Sequence, residues 1–190
     1  MSSYVRTLWA VVAITVGIGC AETAFGLRES SSFVVKDGLE WAYGAAIYTI
    51  AALSFGRSPQ VESGAGLLVA VILAVGGVQG AYEILSDLRA PDADDPLGLT
   101  TSSLISVFGA LVVAGLLVRF RRSDDPVVEG SWLAARNEII TSVLDVVVLF
   151  GLTLVPWKWP QTASDSVGVL LAFWSAYVVA RDALRMGAPE

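Results

Sequence analysis

Histidine is absent from this chain of 190 residues, and cysteine occurs once, at Cys20. A single cysteine cannot form an intrachain disulfide, so no disulfide framework holds the fold together. Without histidine, the sequence offers no recognisable nucleophile–base pair, and it carries no cofactor fingerprint. These absences predict a protein that is not an enzyme and that binds no cofactor tightly.

Charged residues are also few, at 16% of the chain, whereas soluble domains average about 25%. Hydrophobic residues make up 55% of the chain, and the mean hydropathy is +0.67. The net charge of −6 argues against nucleic-acid binding, which requires a basic face. The composition therefore predicts a protein embedded in a lipid bilayer.

Apolar stretches of roughly 20 residues recur along the chain, each long enough to cross a hydrocarbon core of ~30 Å. The first stretch is too long for a signal-peptide core and is followed directly by another, so we expect it to be retained. The predicted fold is an all-α, six-helix transmembrane bundle in a single domain, residues 1–190, with no soluble C-terminal domain. The expected helices cover residues 8–27, 32–55, 64–85, 99–120, 132–154 and 164–184.

Basic residues alternate between the two sets of loops that these helices define. One side holds eight of them, and the other side holds four, namely Arg28, Lys36, Arg89 and Lys158. Because cytoplasmic loops carry an excess of lysine and arginine, the richer side is predicted to be cytoplasmic. This orientation places both termini in the cytoplasm of an integral plasma (inner) membrane protein.

Three acidic residues stand out in the second and fifth predicted helices. Glu40 is in the middle of the second helix, Asp37 lies one turn earlier, and Asp145 is in the fifth. Carboxylates at membrane depth are costly, and each requires a partner, a proton or a cation. At 1.5 Å per residue, Glu40 and Asp145 fall at nearly the same depth if their helices are neighbours. With Asn137 and Thr141 nearby, such a pair suits a hard divalent cation or shared protons.

A structural interpretation of these acids stays open beside the functional one. Acids near helix ends can cap the helix or pair with a basic residue, and Asp37 lies close to Lys36 and Arg28. Glu22 is either an acid on the ion path or a partner of Arg28. Glu138 lies near the basic cytoplasmic surface, which favours an ion pair with an arginine there.

Three stretches of the chain resemble cation diffusion facilitator transporters. The segment ETAFGLRESSSFVVKDGLE, from Glu22 to Glu40, is similar to the family's first-to-second helix region. The third predicted helix ends AYEILSDL, and the sixth contains WPQTASDSVGVLLAFWSAYVVARDALR, both similar to the family's patterns. The resemblance covers nearly the whole chain and implies six helices, cytoplasmic termini and a homodimer.

The resemblance also implies a metal site formed by residue pairs on the second and fifth helices. By position, the first pair falls on Glu40 and Gly44, and the second falls on Asn137 and Thr141. Two carboxylates and all imidazoles of the family pattern are therefore missing here. The spacing makes Asp145, one turn beyond Thr141, a candidate replacement. Oxygen-only sites favour harder cations than zinc.

These observations predict a membrane transporter that moves a divalent metal cation outwards by alternating access, coupled to protons. The predicted metal-site residues are Glu40, Asn137, Asp145, Asp37 and Thr141, with Glu22 on a possible ion path. The alternative is a non-transporting relative of the family that acts as a structural or regulatory partner of another membrane complex. The ligands missing at Gly44 and Thr141 favour that alternative.

Overall fold

Helices and turns make up the part of the chain that the structure describes, residues 3–30, 32–89, 96–123, 125–152 and 159–187 of a computed structural model. The α-helices there are α1 (Ser3–Glu29), α2 (Ser32–Ser54), α3 (Pro59–Asp87), α4 (Pro96–Leu117), α5 (Pro126–Leu152) and α6 (Trp159–Gly187). A short 3-10 turn, Val118–Phe120, extends α4. The predicted all-α, six-helix fold is confirmed.

Most of the helices run beyond the apolar stretches that predicted them. α3 begins five residues before the predicted start at residue 64, and α5 begins six residues before residue 132. Hydropathy indicates which part of a helix contacts lipid. The helix itself continues until a residue such as proline or glycine ends it, so it can extend beyond the apolar stretch. Residues 153–154, where the predicted fifth helix ends, lie outside the described residues.

Local chemistry explains several helix ends. Proline occupies the first position of α3, α4 and α5, where its missing N–H group costs nothing. The Asp125 Oδ1 atom accepts hydrogen bonds from the N–H groups of Val127 at 2.8 Å and Val128 at 3.2 Å, which caps α5. Two residues past the end of α2, Gly56 has a φ of +77°, a conformation that favours glycine.

The helices form a ring of four with a pair beside it. α1 packs against α2 and α4, and α5 packs against the same two helices, so these four enclose a common interior. α3 and α6 pack along each other and contact the ring mainly through α5. Among the described residues, the segments long and apolar enough to cross a membrane are Ser3–Glu29, Pro59–Ser86 and Thr162–Gly187.

Glycines bring the backbones of α1 and α2 into direct contact. A Cβ atom added to Gly19 would lie 2.8 Å from the carbonyl oxygen of Gly38. One added to Gly38 would lie 2.6 Å from the backbone nitrogen of Thr23, and one on Gly26 would lie 2.6 Å from that of Val35. Small residues permit such close approach between membrane helices. Any larger residue at these positions forces the two helices apart.

An aromatic cluster closes the end of the ring that carries the start of α1. The centroid of the Tyr4 ring lies 4.8 Å from that of Phe55, the residue after α2, and 4.7 Å from that of Phe120, and both contacts are edge-on. The Tyr4 hydroxyl donates a hydrogen bond to Ser131 Oγ of α5 at 3.2 Å. Tyr4 therefore ties the ends of all four ring helices together.

We expect Gly38→Ala to lower the free energy of unfolding by about 1–3 kcal/mol, because the new methyl group overpacks the α1–α2 contact. Gly76→Ala is the matched control, since nothing lies within 4 Å of its added Cβ atom. In a helix that control gains about 0.5–1 kcal/mol from backbone entropy. Thermal unfolding of both variants in detergent measures the difference. Equal melting temperatures would show that the α1–α2 contact tolerates a side chain.

Candidate cation site

Glu22 is a carboxylate enclosed by the protein interior. It is fully buried, and neither of its oxygens has a hydrogen-bond partner among the described residues. It lies on α1 between Gly19 and Gly26, three and four residues away, so it shares their face of the helix. The glycine contacts that bring α2 against α1 therefore cover Glu22. A buried acid without hydrogen bonds is unfavourable for folding, which indicates a functional role.

Trp41 and Ser106 line the space around Glu22. The Trp41 ring from α2 reaches α4, where an added Cβ atom on Gly109 would lie 2.6 Å from the ring. Trp41 and Ser106 are both close enough to interact with the Glu22 carboxylate. Neither forms a hydrogen bond of regular geometry with it, and Trp41 Nε1 has no acceptor among the described residues. The site is thus polar but incompletely paired.

Asp37 links Glu22 to the acids of α5. Ser106 Oγ donates a hydrogen bond to Asp37 Oδ2 at 3.2 Å. Asp37 lies within electrostatic range of Glu22, of Glu138 and of Asp145. We refer to these four residues, Glu22, Asp37, Glu138 and Asp145, as the acid cluster. It spans α1, α2 and α5 in the interior of the ring.

Asp145 occupies the α5–α6 side of the acid cluster. Its Oδ1 atom accepts a hydrogen bond from Ser164 Oγ of α6 at 2.9 Å. Its side chain is half-buried, and among the α2 acids Asp37 is in electrostatic range. α2 packs against α5, so the helices that carry Glu40 and Asp145 are neighbours, as the comparison of their depths requires.

Glu40, in contrast, has an exposed side chain, although it is one turn from Asp37. The polar groups next along its side of α2 lead towards α3. Tyr43 donates a hydrogen bond to Gln79 Oε1, and Gln79 Nε2 donates one to Glu83 Oε1 at 3.2 Å. Glu40 is therefore exposed whereas Glu22 is buried, and it is Asp37 that interacts with the other interior acids.

Asn137 and Thr141 make contacts within α5 and with α6. Asn137 Oδ1 accepts a hydrogen bond from Arg136 Nη2 at 2.9 Å. Asn137 Nδ2 donates to the Leu171 carbonyl at 3.2 Å and to Ser175 Oγ at 3.0 Å. Thr141 Oγ1 donates to two carbonyls of its own helix, both at 3.1 Å. The Asn137 oxygen that would bind a cation thus already faces a guanidinium group.

Glu138 is an acid that the sequence analysis assigned to an ion pair with an arginine. Among the described residues the expected ion pair with an arginine does not form, because Arg136, two residues away, bonds to Asn137 and Ser175. Glu138 instead faces Asp37 and Asp145. Its spacing of seven residues from Asp145 places both acids on one face of α5, and that signal was present in the sequence.

The acid cluster is a group of neighbouring charges without the geometry of a coordination shell. Among the described residues, no three Asp, Glu or Cys side chains are close enough together to hold a metal ion. A cation bound in this conformation would therefore have at most two carboxylate ligands, completed by hydroxyl groups such as those of Ser106 and Ser164.

We expect Asn137→Ala to lower the free energy of unfolding by about 1–3 kcal/mol, because it removes the hydrogen bonds that Asn137 makes with Arg136, Ser175 and the Leu171 carbonyl. Cation affinity stays unchanged if Asn137 serves only the α5–α6 contact. Thr15→Val is the control, since it removes a hydroxyl that bonds only to carbonyls of its own helix and lies outside the predicted metal site. Thermal unfolding and calorimetric cation titration of both variants make the comparison. A loss of cation affinity at unchanged stability would instead make Asn137 a ligand.

Comparison with known proteins supports the family resemblance. The chain matches the model of the cation efflux transmembrane domain over residues 8–186. A comparison with curated proteins gives no match. The family match covers nearly the whole chain, including every helix that supplies the acid cluster, and it agrees with the six-helix architecture. The chain therefore belongs to the cation efflux family of integral membrane transporters, the cation diffusion facilitators.

Proposed function

We propose that this protein moves a divalent metal cation out of the cytoplasm by alternating access, in exchange for protons. The observation that carries the proposal is the placement of Asp37 and Asp145 on two helices that pack against each other, within range of each other's charge, in a chain of a cation transporter family. Two carboxylates in the membrane interior require neutralisation. A divalent cation supplies two positive charges and neutralises the pair.

The ligand chemistry favours a hard cation. The hydroxyls of Ser106 and Ser164 already bond to Asp37 and Asp145, so each acid has a second oxygen group beside it. The chain has no histidine, and Cys20 is exposed. Oxygen-only ligand sets suit cations such as Mn²⁺, Mg²⁺ or Ca²⁺ better than Zn²⁺.

Proton coupling follows from competition for the same oxygens. A carboxylate that binds a proton cannot bind a metal ion with the same affinity, so protonation of Asp37 or Asp145 promotes release of the cation. A proton gradient directed into the cytoplasm then drives the cation outwards. The resemblance to the family adds a homodimer in the plasma membrane, with both termini in the cytoplasm.

Alternating access requires the interior to open to one side at a time. The cluster around Tyr4 closes the ring at the end that carries the start of α1, away from the acid cluster. In the proposed cycle this end opens to admit the cation, which requires the four helix ends that Tyr4 ties together to separate.

A non-transporting partner protein is the second candidate. The α5–α6 contacts of Asn137 and the lack of a three-acid group among the described residues favour it. In that case the acid cluster remains neutralised by protons, and the protein binds no metal ion.

We expect purified protein in proteoliposomes to transport at least one of Mn²⁺, Mg²⁺ and Ca²⁺ when a pH gradient is applied. Asp37→Asn and Asp145→Asn each remove one of the two charges, and each lowers the transport rate at least about tenfold, which is the effect of ~1.4 kcal/mol. Glu29→Gln is the control, because it changes an exposed acid that pairs with Arg28 at the surface. Its transport rate stays that of the wild type.

The same assay tests the ligands that were predicted from the sequence alone. Glu40→Gln and Thr141→Val lower transport if Glu40 and Thr141 bind the ion in another conformation of the cycle. Absence of flux for every divalent cation, Zn²⁺ included, contradicts the proposed transport. Stable co-purification with one partner, without bound metal, would then support the second candidate.

A further inference from the structure

Glu22 is the interior acid whose two carboxylate oxygens are buried without hydrogen bonds to the part of the chain that the structure describes. It is fully buried, and both of its oxygens lack a hydrogen-bond partner among the described residues. The Trp41 Nε1 atom beside it is buried and equally unpaired. A folded protein tolerates such groups when a ligand completes them during function. Glu22 is therefore where the interior requires an additional positive charge.

Each helix around Glu22 contributes a polar group. α2 supplies the carboxylate of Asp37 and the indole of Trp41, α4 supplies the hydroxyl of Ser106, and α5 supplies the charge of Glu138. The charged groups that act on Glu22 among the described residues are thus both acids. Each repels the Glu22 carboxylate, and this repulsion disappears when a cation is bound between them.

We propose that a divalent cation binds between Glu22 and Asp37, with Ser106 Oγ as a neutral ligand. Ser106 already bonds to Asp37, and its hydroxyl oxygen keeps a lone pair for the metal ion. Two carboxylates and a hydroxyl are oxygen ligands of the kind that Mn²⁺ and Ca²⁺ accept. Trp41 is buried and covers the position on its α4 side.

This position is distinct from the one between Asp37 and Asp145, and it rests on the proposed transport function. It lies between α1, α2 and α4, whereas Asp145 belongs to the contact of α5 with α6. Asp37 is common to both positions, so the cation can pass from one to the other past a single side chain. The four negative charges of the acid cluster balance two divalent cations.

The direct backbone contact between α1 and α2 keeps the position between Glu22 and Asp37, called the second position below, intact during movement. Gly19 and Gly38 hold α1 and α2 together at the level of Glu22 and Asp37. When other helices separate, these two acids stay neighbours and carry the ion as a unit. The position between Asp37 and Asp145, by contrast, depends on the α2–α5 contact and changes when α5 moves.

Equilibrium binding of Mn²⁺ to the full chain in lipid nanodiscs tests the second position. We expect two Mn²⁺ ions per wild-type chain. Glu22→Gln and Asp145→Asn each reduce the number to one, and Asp37→Asn reduces it to zero. Glu83→Gln is the control and keeps two ions, because Glu83 lies on the α3 side of the molecule, bonded to Gln79.

The outcomes separate this inference from the proposed function. One ion in the wild type, kept in Glu22→Gln and lost in Asp145→Asn, overturns the second position and leaves the transport proposal standing. Two ions in the wild type without any flux in proteoliposomes contradict transport and keep the binding position. If Glu22→Gln does not fold, Glu22→Asp provides the test, because it keeps the charge and withdraws the carboxylate from Asp37 by one methylene group. It weakens one of the two Mn²⁺ affinities about tenfold and leaves the other unchanged, whereas two unchanged affinities overturn the proposal.

Discussion

The direct backbone contact between α1 and α2 is the constraint on which the interior of this protein depends. Gly19, Gly26 and Gly38 remove the side chains that would keep the helices apart. Glu22 lies between two of these glycines, so the same contact that stabilises the helix pair also buries a carboxylate. A close helix contact and a costly acid are thus two consequences of one feature.

The interior acids are stabilised only in part by the protein itself. Ser106 and Ser164 each donate a hydrogen bond to one aspartate, but the acids still lie within range of one another's charge. Neutralisation by a mobile cation or proton is reversible, whereas pairing with an arginine of the chain would be permanent. Arg136, the nearby arginine of α5, is held by Asn137 and Ser175, which leaves the acids available for a mobile charge.

Much of the fold could be predicted, and less of the site. The lengths of the apolar runs predicted the six helices, because crossing a bilayer imposes a minimum length that is visible in one dimension. Asp37 and Asp145 were also identified, since an acid in an apolar run is conspicuous. Glu138 was instead assigned to an ion pair because Arg136 is close in the chain, although residues two apart on a helix face different directions.

The sequence by itself determined the number of helices, the family and an interior whose ligands are oxygen atoms, since the chain has no histidine to offer. The tertiary structure decided which acids meet. Asp37 and Glu40 are one turn apart and differ by about 60° around the helix axis. That rotation is enough to place Asp37 among the interior acids and to leave Glu40 exposed. Such a choice depends on how each helix turns towards its neighbours, which helix packing sets and linear spacing does not.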